Sequence, residues 1–425
     1  MGGLSGVSVD ADGTPRGQMK VIVIGGGAAG LMAAATAAEN GHSVTVIERN
    51  PRPARKVMIT GKGRCNVTNR CDVTTCIANI PRNGRFLYST LSRFEPQALM
   101  AWLEERGLPL KTERGNRVFP VSDKAVDVVD CLVNAAKRAG VRFLQGRVVK
   151  LQLTDGVCGG VVLEDGTVLC GDSIIVCTGG KSYPVTGSTG DGYMLAEQAG
   201  HTIVTPRPSL VPLETVEYWP CELQGLSLKN ITLTATDTQT KKAIYTETGE
   251  MLFTHYGVSG PLVLSASAHM GEMTQGRYAL SIDLKPGRTA EQLDARLVRE
   301  FAENANVDFV NALGTLLPRK LIPVMVRLSG IPAHTKCHSI TREKRMAFVQ
   351  LLKNLTMTVA DFRPIEEAVV TSGGVDVKQV DTRTMASKLV SGLYFAGEVL
   401  DVDGYTGGFN LQIAFATGHA AGEAQ

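Results

Sequence analysis

Residues 21–38, "VIVIGGGAAGLMAAATAA", run for eighteen positions without a charge, in a chain of 425 residues that carries 44 basic and 41 acidic side chains. Three structures compete to explain so bare a stretch: a secretory signal, a membrane span, or a buried strand joined to a helix. A span needs about 20 predominantly apolar residues, so the length is marginal. A signal peptide has a basic start, an apolar core and a small-residue cleavage site. The leader here, "MGGLSGVSVDADGTPRGQMK", is Gly-rich and weakly charged. Interior spacing decides for the third structure. Val21 to Ile24 are four β-branched residues in a row, which suits a strand buried on both faces. Gly25, Gly27 and Gly30 then form G-x-G-x-x-G, with Ala28 and Ala29 opening a helix of small and apolar residues. Asn40-Gly41 stands where a helix closes on glycine. "HSVTVIE" follows as a second strand and ends in Glu48, 18 residues past Gly30. That is near the spacing of a carboxylate that accepts hydrogen bonds from a ribose.

Strand, glycine turn, helix and acid together make a dinucleotide site. Gly25 permits the tight turn, Gly27 lets backbone approach a pyrophosphate, and Gly30 lets the helix sit close on the strand. The helix N-terminus offers unpaired N–H groups and partial positive charge to the phosphates. Glu48 welcomes a ribose 2′-OH and repels a 2′-phosphate.

Length allows two or three domains with ample core. The net charge of +3 is too small to imply a nucleic-acid or acidic-membrane partner. Nine scattered cysteines include no C-x-x-C, which disfavours zinc and dithiol motifs and fits reduced thiols in a cytoplasm. The glycosylation sequons at Asn66 and Asn230 read as chance matches without a signal peptide.

The first motif serves NAD and FAD alike. Later stretches favour FAD over NAD as the tight cofactor. "DSIIVCTGG" is an apolar strand running to Thr178 and Gly179, and Gly392–Gly422 reads as strand, Ala-Gly-Glu turn, Gly-rich loop and small-residue helix. Another buried βα unit explains the apolar residues there but not seven glycines in 31 positions. These elements resemble those of two-dinucleotide-binding-domain flavoproteins, whose extended FAD implies that the chain returns to its far end, here at Gly397, Glu398 and a helix from about Asn410. That helix aims its N-terminus at the flavin edge that becomes anionic on reduction.

Seven basic residues and no acid lie between Arg49 and Arg70. Neither Gly61-Lys62-Gly63 nor Gly180-Lys181-Ser182 completes a P-loop. The reading is a Gly-rich turn that holds FAD phosphates, with Arg64 and Asn66 near the flavin. A solvated loop and an RNA-binding patch compete with it. The stretch lacks the aromatics that stack bases, so nucleic acid is disfavoured.

"GKGRCNVTN", "TGGKSYPVTGSTGDGY", "FTHYGVSGP" and "SKLVSGLYFAGEVLDVDGYTGGFNLQIAFATG" resemble the BaiN-like (YhiN-like) flavoproteins, from about Met19 to the C-terminus. That group includes aminoacetone oxidases and bile-acid 3-dehydro-Δ4,6-reductases. The resemblance implies FAD held by Gly25, Gly27, Gly30, Glu48, Lys56, Gly63, Arg64, Glu398, Asp401 and Asn410. Ala28, Ala29, Arg49, Cys65, Asn66, Thr178, Gly179, Gly397, Gly408 and Leu411 belong to the same loops, and Val148 meets the adenine through its backbone. Cys65 itself reads as a small buried thiol.

The expected fold is α/β: a Rossmann-type, two-dinucleotide-binding FAD domain with an inserted β-rich domain carrying a helical piece. The expected divisions are a flexible tail at 1–18, the first FAD portion at 19–205, the insert at 206–365 and the second FAD portion at 366–425. Pro206 and Pro208 mark the first boundary. For a proton donor, His255 and Tyr256 are the first choice, with Tyr183 and Tyr405 behind them. A second complete Gly-rich nucleotide motif is absent from the sequence, so NAD(P)H would act as a transient donor. The preferred activity is NAD(P)H-linked reduction of a conjugated C=C on a small molecule such as a steroid enone. The alternatives are an amine or aminoacetone oxidase using O2 and, remotely, a flavoprotein acting on tRNA. A cytoplasmic, non-membrane protein is expected, and the sequence is silent on oligomeric state.

Overall fold

The computed structural model describes residues 17–425, so most of the expected tail lies outside the described residues. The charge-free stretch forms strand β1 (Lys20–Ile24) and helix α1 (Ala28–Glu39). The rest of the framework is β2 (Ser43–Glu48), α2 (Ala125–Arg138), β3 (Arg142–Gln145), β4 (Ser173–Val176), β5 (Leu393–Phe395) and α3 (Phe409–Glu423). The five strands form one parallel sheet in the order β5-β4-β1-β2-β3. Strand order reverses beside β1, and ligands of such sheets bind beyond the strand C-termini at that reversal.

Small residues let three layers close tightly there. Ala28 to Ala37 are ten consecutive buried residues, so α1 has no solvent face. It lies against both α2 and α3. A Cβ on Gly418 would stand 2.3 Å from the Ala29 carbonyl oxygen, and one on Gly422 2.5 Å from that of Ala33. The i, i+4 glycines of α3 thus sit on the i, i+4 alanines of α1, backbone to backbone.

The chain divides into two compact units: the described residues through Ser209 together with Ile365–Gln425, and Leu210–Pro364. The second unit is a closed antiparallel barrel of six strands, in the order 213–215, 257–259, 242–253, 227–237, 278–283 and 355–362. Alternate side chains such as Leu233, Leu280 and Met357 fill its interior. Helices Ala290–Glu303 and Arg342–Lys353 start on capping threonines, Thr289 and Thr341. The two prolines read as a boundary lie instead within strand Ile203–Ser209. That strand pairs only with Val370–Val375, and its register shifts between Val204 and Arg207. An irregular strand with one partner tolerates proline, so the chain leaves the first unit only after Ser209.

Candidate functional site

A cleft opens in the first unit at the C-terminal ends of β1, β2 and β4. Gly25 makes the turn into α1 with φ +99°, and its N–H donates to Ile47 O at 2.8 Å. A Cβ on it would press to 2.6 Å from Cys177 O, and one on Gly30 to 1.9 Å from Gly25 O. These two glycines are demanded by the protein's own backbone. Gly27 is different, because a Cβ there meets nothing within 4 Å. It caps α1 without a side-chain acceptor, and no acid stands in the first turn. The first amides of α1 are therefore left without a side-chain acceptor beside an open glycine and a positive helix end, an arrangement suited to a phosphate.

Glu48, at the end of β2, is oriented by its neighbours. Oε2 accepts from Gly26 N and Oε1 from Asn50 N, both at 2.8 Å. Across the cleft Lys56 Nζ donates to Glu398 Oε2 at 2.6 Å and to Ser182 Oγ at 2.5 Å. The other Glu398 oxygen accepts from Thr371 N at 2.8 Å and Ser182 Oγ at 3.0 Å. On a third side Asp191 accepts from Arg147 Nε and Nη2, at 2.9 and 3.1 Å, and from Arg49 Nη1 at 3.4 Å. Those bonds raise the Arg147 guanidinium further above its ordinary range. Helix α3, which lines the cleft from Asn410 on, starts after Gly408 (φ +100°), again with no side-chain cap and no acid in the first turn.

Of the residues anticipated at the cofactor, Gly25, Gly27, Ala28, Ala29, Glu48, Arg49, Lys56, Val148, Thr178, Gly179, Gly397, Glu398, Asn410 and Leu411 line this one cleft. The structure places the others elsewhere. Gly30 is inside α1, and Gly408 abuts the backbone of Thr68. Arg64 is engaged by acids: its Nε donates to Asp123 Oδ1 at 2.9 Å, and its Nη2 also reaches Glu113. These bonds raise the guanidinium and lower the Glu113 carboxyl, while Lys111 and then Arg64 lower that of Asp123. The turn at Gly63 is exposed, and Cys65 is buried, its thiol pushed up to about 12 by desolvation. Asn66 keeps a buried Oδ1 without a protein partner. Asp401 is bound by Arg82 and by Asn83 Nδ2 at 3.0 Å. Asn410 lines the cleft, but its side chain clamps Gly404, accepting from N at 2.8 Å and donating to O at 2.7 Å.

Arg147, Asn50, Asp191 and Ser188 also line the cleft and were not singled out from the sequence. Only the quoted motif containing Asp191 hinted at them. His255 and Tyr256 lie in the second unit, their rings edge to face at 4.8 Å, with the Arg363 guanidinium 4.6 Å above Tyr256. Tyr183 (φ +50°) precedes a short 3-10 turn, and Tyr405 N donates to Asn79 O at 2.9 Å.

The cleft fits a dinucleotide on the chain's own terms. It has an open glycine at an uncapped helix end, a second uncapped helix end on another wall, and a buried Thr178 Oγ1 with no partner in the protein. Among the described residues no cluster could hold a metal ion, and no helix is long and apolar enough to cross a membrane.

Comparison with known proteins agrees. Residues 19–424 match the family described as the HI0933-like protein Rossmann domain. The chain is 31% identical over 415 residues to a 3-dehydro-bile acid delta(4,6)-reductase of Clostridium scindens, covering 95% of this chain and 98% of that protein. It is 33% identical over 406 residues to a ribosomal RNA dihydrouridine synthase of Haemophilus influenzae, covering 94% and 96%. In fold it resembles the 3-ketosteroid-delta4-(5alpha)-dehydrogenase of Rhodococcus jostii, with a TM-score of 0.52 at 15% identity and 96% of each chain covered. The chain therefore belongs to the HI0933-like family of Rossmann-domain proteins, and it is an FAD-dependent oxidoreductase.

Proposed function

We propose that this protein reduces a carbon–carbon double bond conjugated to a carbonyl, taking electrons from NAD(P)H through FAD. The observation that carries the reading is the uncapped N-terminus of α3 on the cleft wall, where a cofactor edge that turns negative on reduction is stabilised. The relatives' names support the bond type. A 3-keto Δ4,6 system and the uracil C5=C6 bond are both alkenes in conjugation with a carbonyl.

Bound FAD supplies two-electron transfer as a hydride equivalent. The amides of Gly27, Ala28 and Ala29 would hold its phosphates, Glu48 its adenosine ribose, and Lys56 with Glu398 its middle. The α3 end sets the electrostatics of the ring. Exclusion of water follows from the apolar wall of Val370, Val402 and Leu411.

Anaerobic titration tests the reading. NADH or NADPH bleaches the flavin band, and a cyclic enone restores it. Bleaching by aminoacetone but by neither nicotinamide would overturn it.

A second reading keeps the chemistry and changes the substrate to a uridine in RNA, on the strength of the 33% relative. Against it, Arg49, Arg52, Lys56 and Arg64 of the basic stretch each have a carboxylate partner. Assay of dihydrouridine formation in a ribosomal RNA transcript, beside enone reduction and across a salt series, separates the two substrates.

A further inference from the structure

The loop from Asp401 to Asn410 joins two residues on the cleft wall, Val402 and Asn410, and carries two buried carboxyls near one guanidinium. Asp401 takes that guanidinium for itself, both oxygens engaged by Arg82, and Asn83 adds a third donor. Asp403 is left without a cation of its own. It is 2% exposed, and its Oδ2 accepts from the Ser209 hydroxyl at 2.7 Å. Its Oδ1 is buried with no partner in the protein. A bare carboxylate in that position would be held by two serine hydroxyls, Ser209 and Ser372, with Arg82 already committed and Asp401 repelling it. Burial, the largest influence, raises its pKa, and the serines and Arg82 only partly oppose this. Protonation removes the buried charge and leaves Oδ1–H as a donor with no acceptor in the protein. Buried polar atoms without partners are rare enough to need a reason.

We propose that Asp403 is the proton reservoir of the redox site, with Oδ1 carrying the proton while the Ser209 hydroxyl holds Oδ2. This rests on the reading of the site as a reductase. Saturating a conjugated C=C adds a hydride equivalent, supplied from the reduced flavin, to one carbon and a proton to the other. The Asp403 Oδ1–H bond breaks as the new C–H bond forms, the proton passing through water. The carboxylate left behind faces Ser209, Ser372 and Arg82, and a solvent proton restores the acid. Asp403 is a positioning residue for the proton and need not touch the substrate.

The test uses the FAD-loaded enzyme and needs no substrate, so it stands apart from the assays of function. Infrared difference spectra of wild type against Asp403→Asn at neutral pH should contain one protonated-carboxyl band that the variant lacks. The flavin midpoint potential plotted against pH should bend at the Asp403 pKa in wild type, run straight through that region in Asp403→Asn, and bend again in Asp403→Glu. A buried acid with a purely structural role would leave the potential profile unchanged by either substitution. Absence of the infrared band, or superimposable potential profiles, overturns the proposal. The wild-type spectrum alone can overturn it if the variants fail to fold.

Discussion

Two glycine-rich turns, Gly25–Gly30 and Gly61–Gly63, end in opposite circumstances. In the first, Gly25 and Gly30 are spent on the protein's own close contacts, which leaves Gly27 and the uncapped amides beside it open to the cleft. In the second, Gly61 and Lys62 take left-handed conformations (φ +57° and +59°), and the Arg64 that follows is occupied by Glu113 and Asp123. Both look ready for phosphate when only glycines and cations are counted. What separates them is whether neighbouring groups already satisfy the donors.

Substitutions can break this contrast at graded strength. Gly30→Ala drives a methyl to 1.9 Å from Gly25 O, a backbone clash that cannot relax locally. It should yield insoluble protein or a chain without a cooperative melt, read by circular dichroism. Gly27→Val has room in the protein, so the apoprotein should melt as wild type does, while FAD affinity falls on the order of a hundredfold by fluorescence titration. If Gly27→Val binds FAD normally, the cleft is not the cofactor site. Lys56→Ala leaves Glu398 without its cation and should weaken FAD about tenfold to a hundredfold, the scale of one charged hydrogen bond.

Arg64→Ala removes only part-exposed pairs and should leave FAD affinity within about fivefold. Its effect belongs to acid stability. Glu113 and Asp123 have lowered pKa values, Glu113 chiefly through Arg64 and Asp123 chiefly through Lys111 and then Arg64. Such a contribution is full above the unfolded-state values and is lost as pH falls through the folded ones. Melting temperature against pH should therefore be flatter on the acid side in the variant. Smallest of all is the expected response of Cys65: with its thiol raised to about 12, it should resist iodoacetamide at pH 8 while exposed Cys170 reacts, as peptide mapping would show.

The parts legible in the sequence were those fixed by local spacing. The β1–α1–β2 unit, the Glu48 carboxylate and the start of α3 follow from runs, turns and caps that a window of residues contains. The barrel's closure was not legible, because strand 213–215 meets 355–362 across more than a hundred positions and alternation alone does not say which strands pair. The acid partners of Arg64 were not legible for the same reason: they lie 49 and 59 residues on. Arg147 and Asp191, 44 residues apart, meet only in the fold. Asp403 went unnoticed because burial, which sets its chemistry, is not written in "DVDG", while His255 and Tyr256 advertise titration by residue type.

The crossing of α1 and α3 also fixes an order of events during synthesis. One wall of the cleft comes from residues 24–57 and another from 396–414, so the ribosome makes the phosphate turn long before it makes the other wall. Until Gly418 and Gly422 emerge and settle on Ala29 and Ala33, the nascent chain holds the nucleotide signature without a place to keep the nucleotide. Cofactor capture should then wait for this last wall, and a chain cut short before Gly392 should come out colourless however well the preceding residues fold.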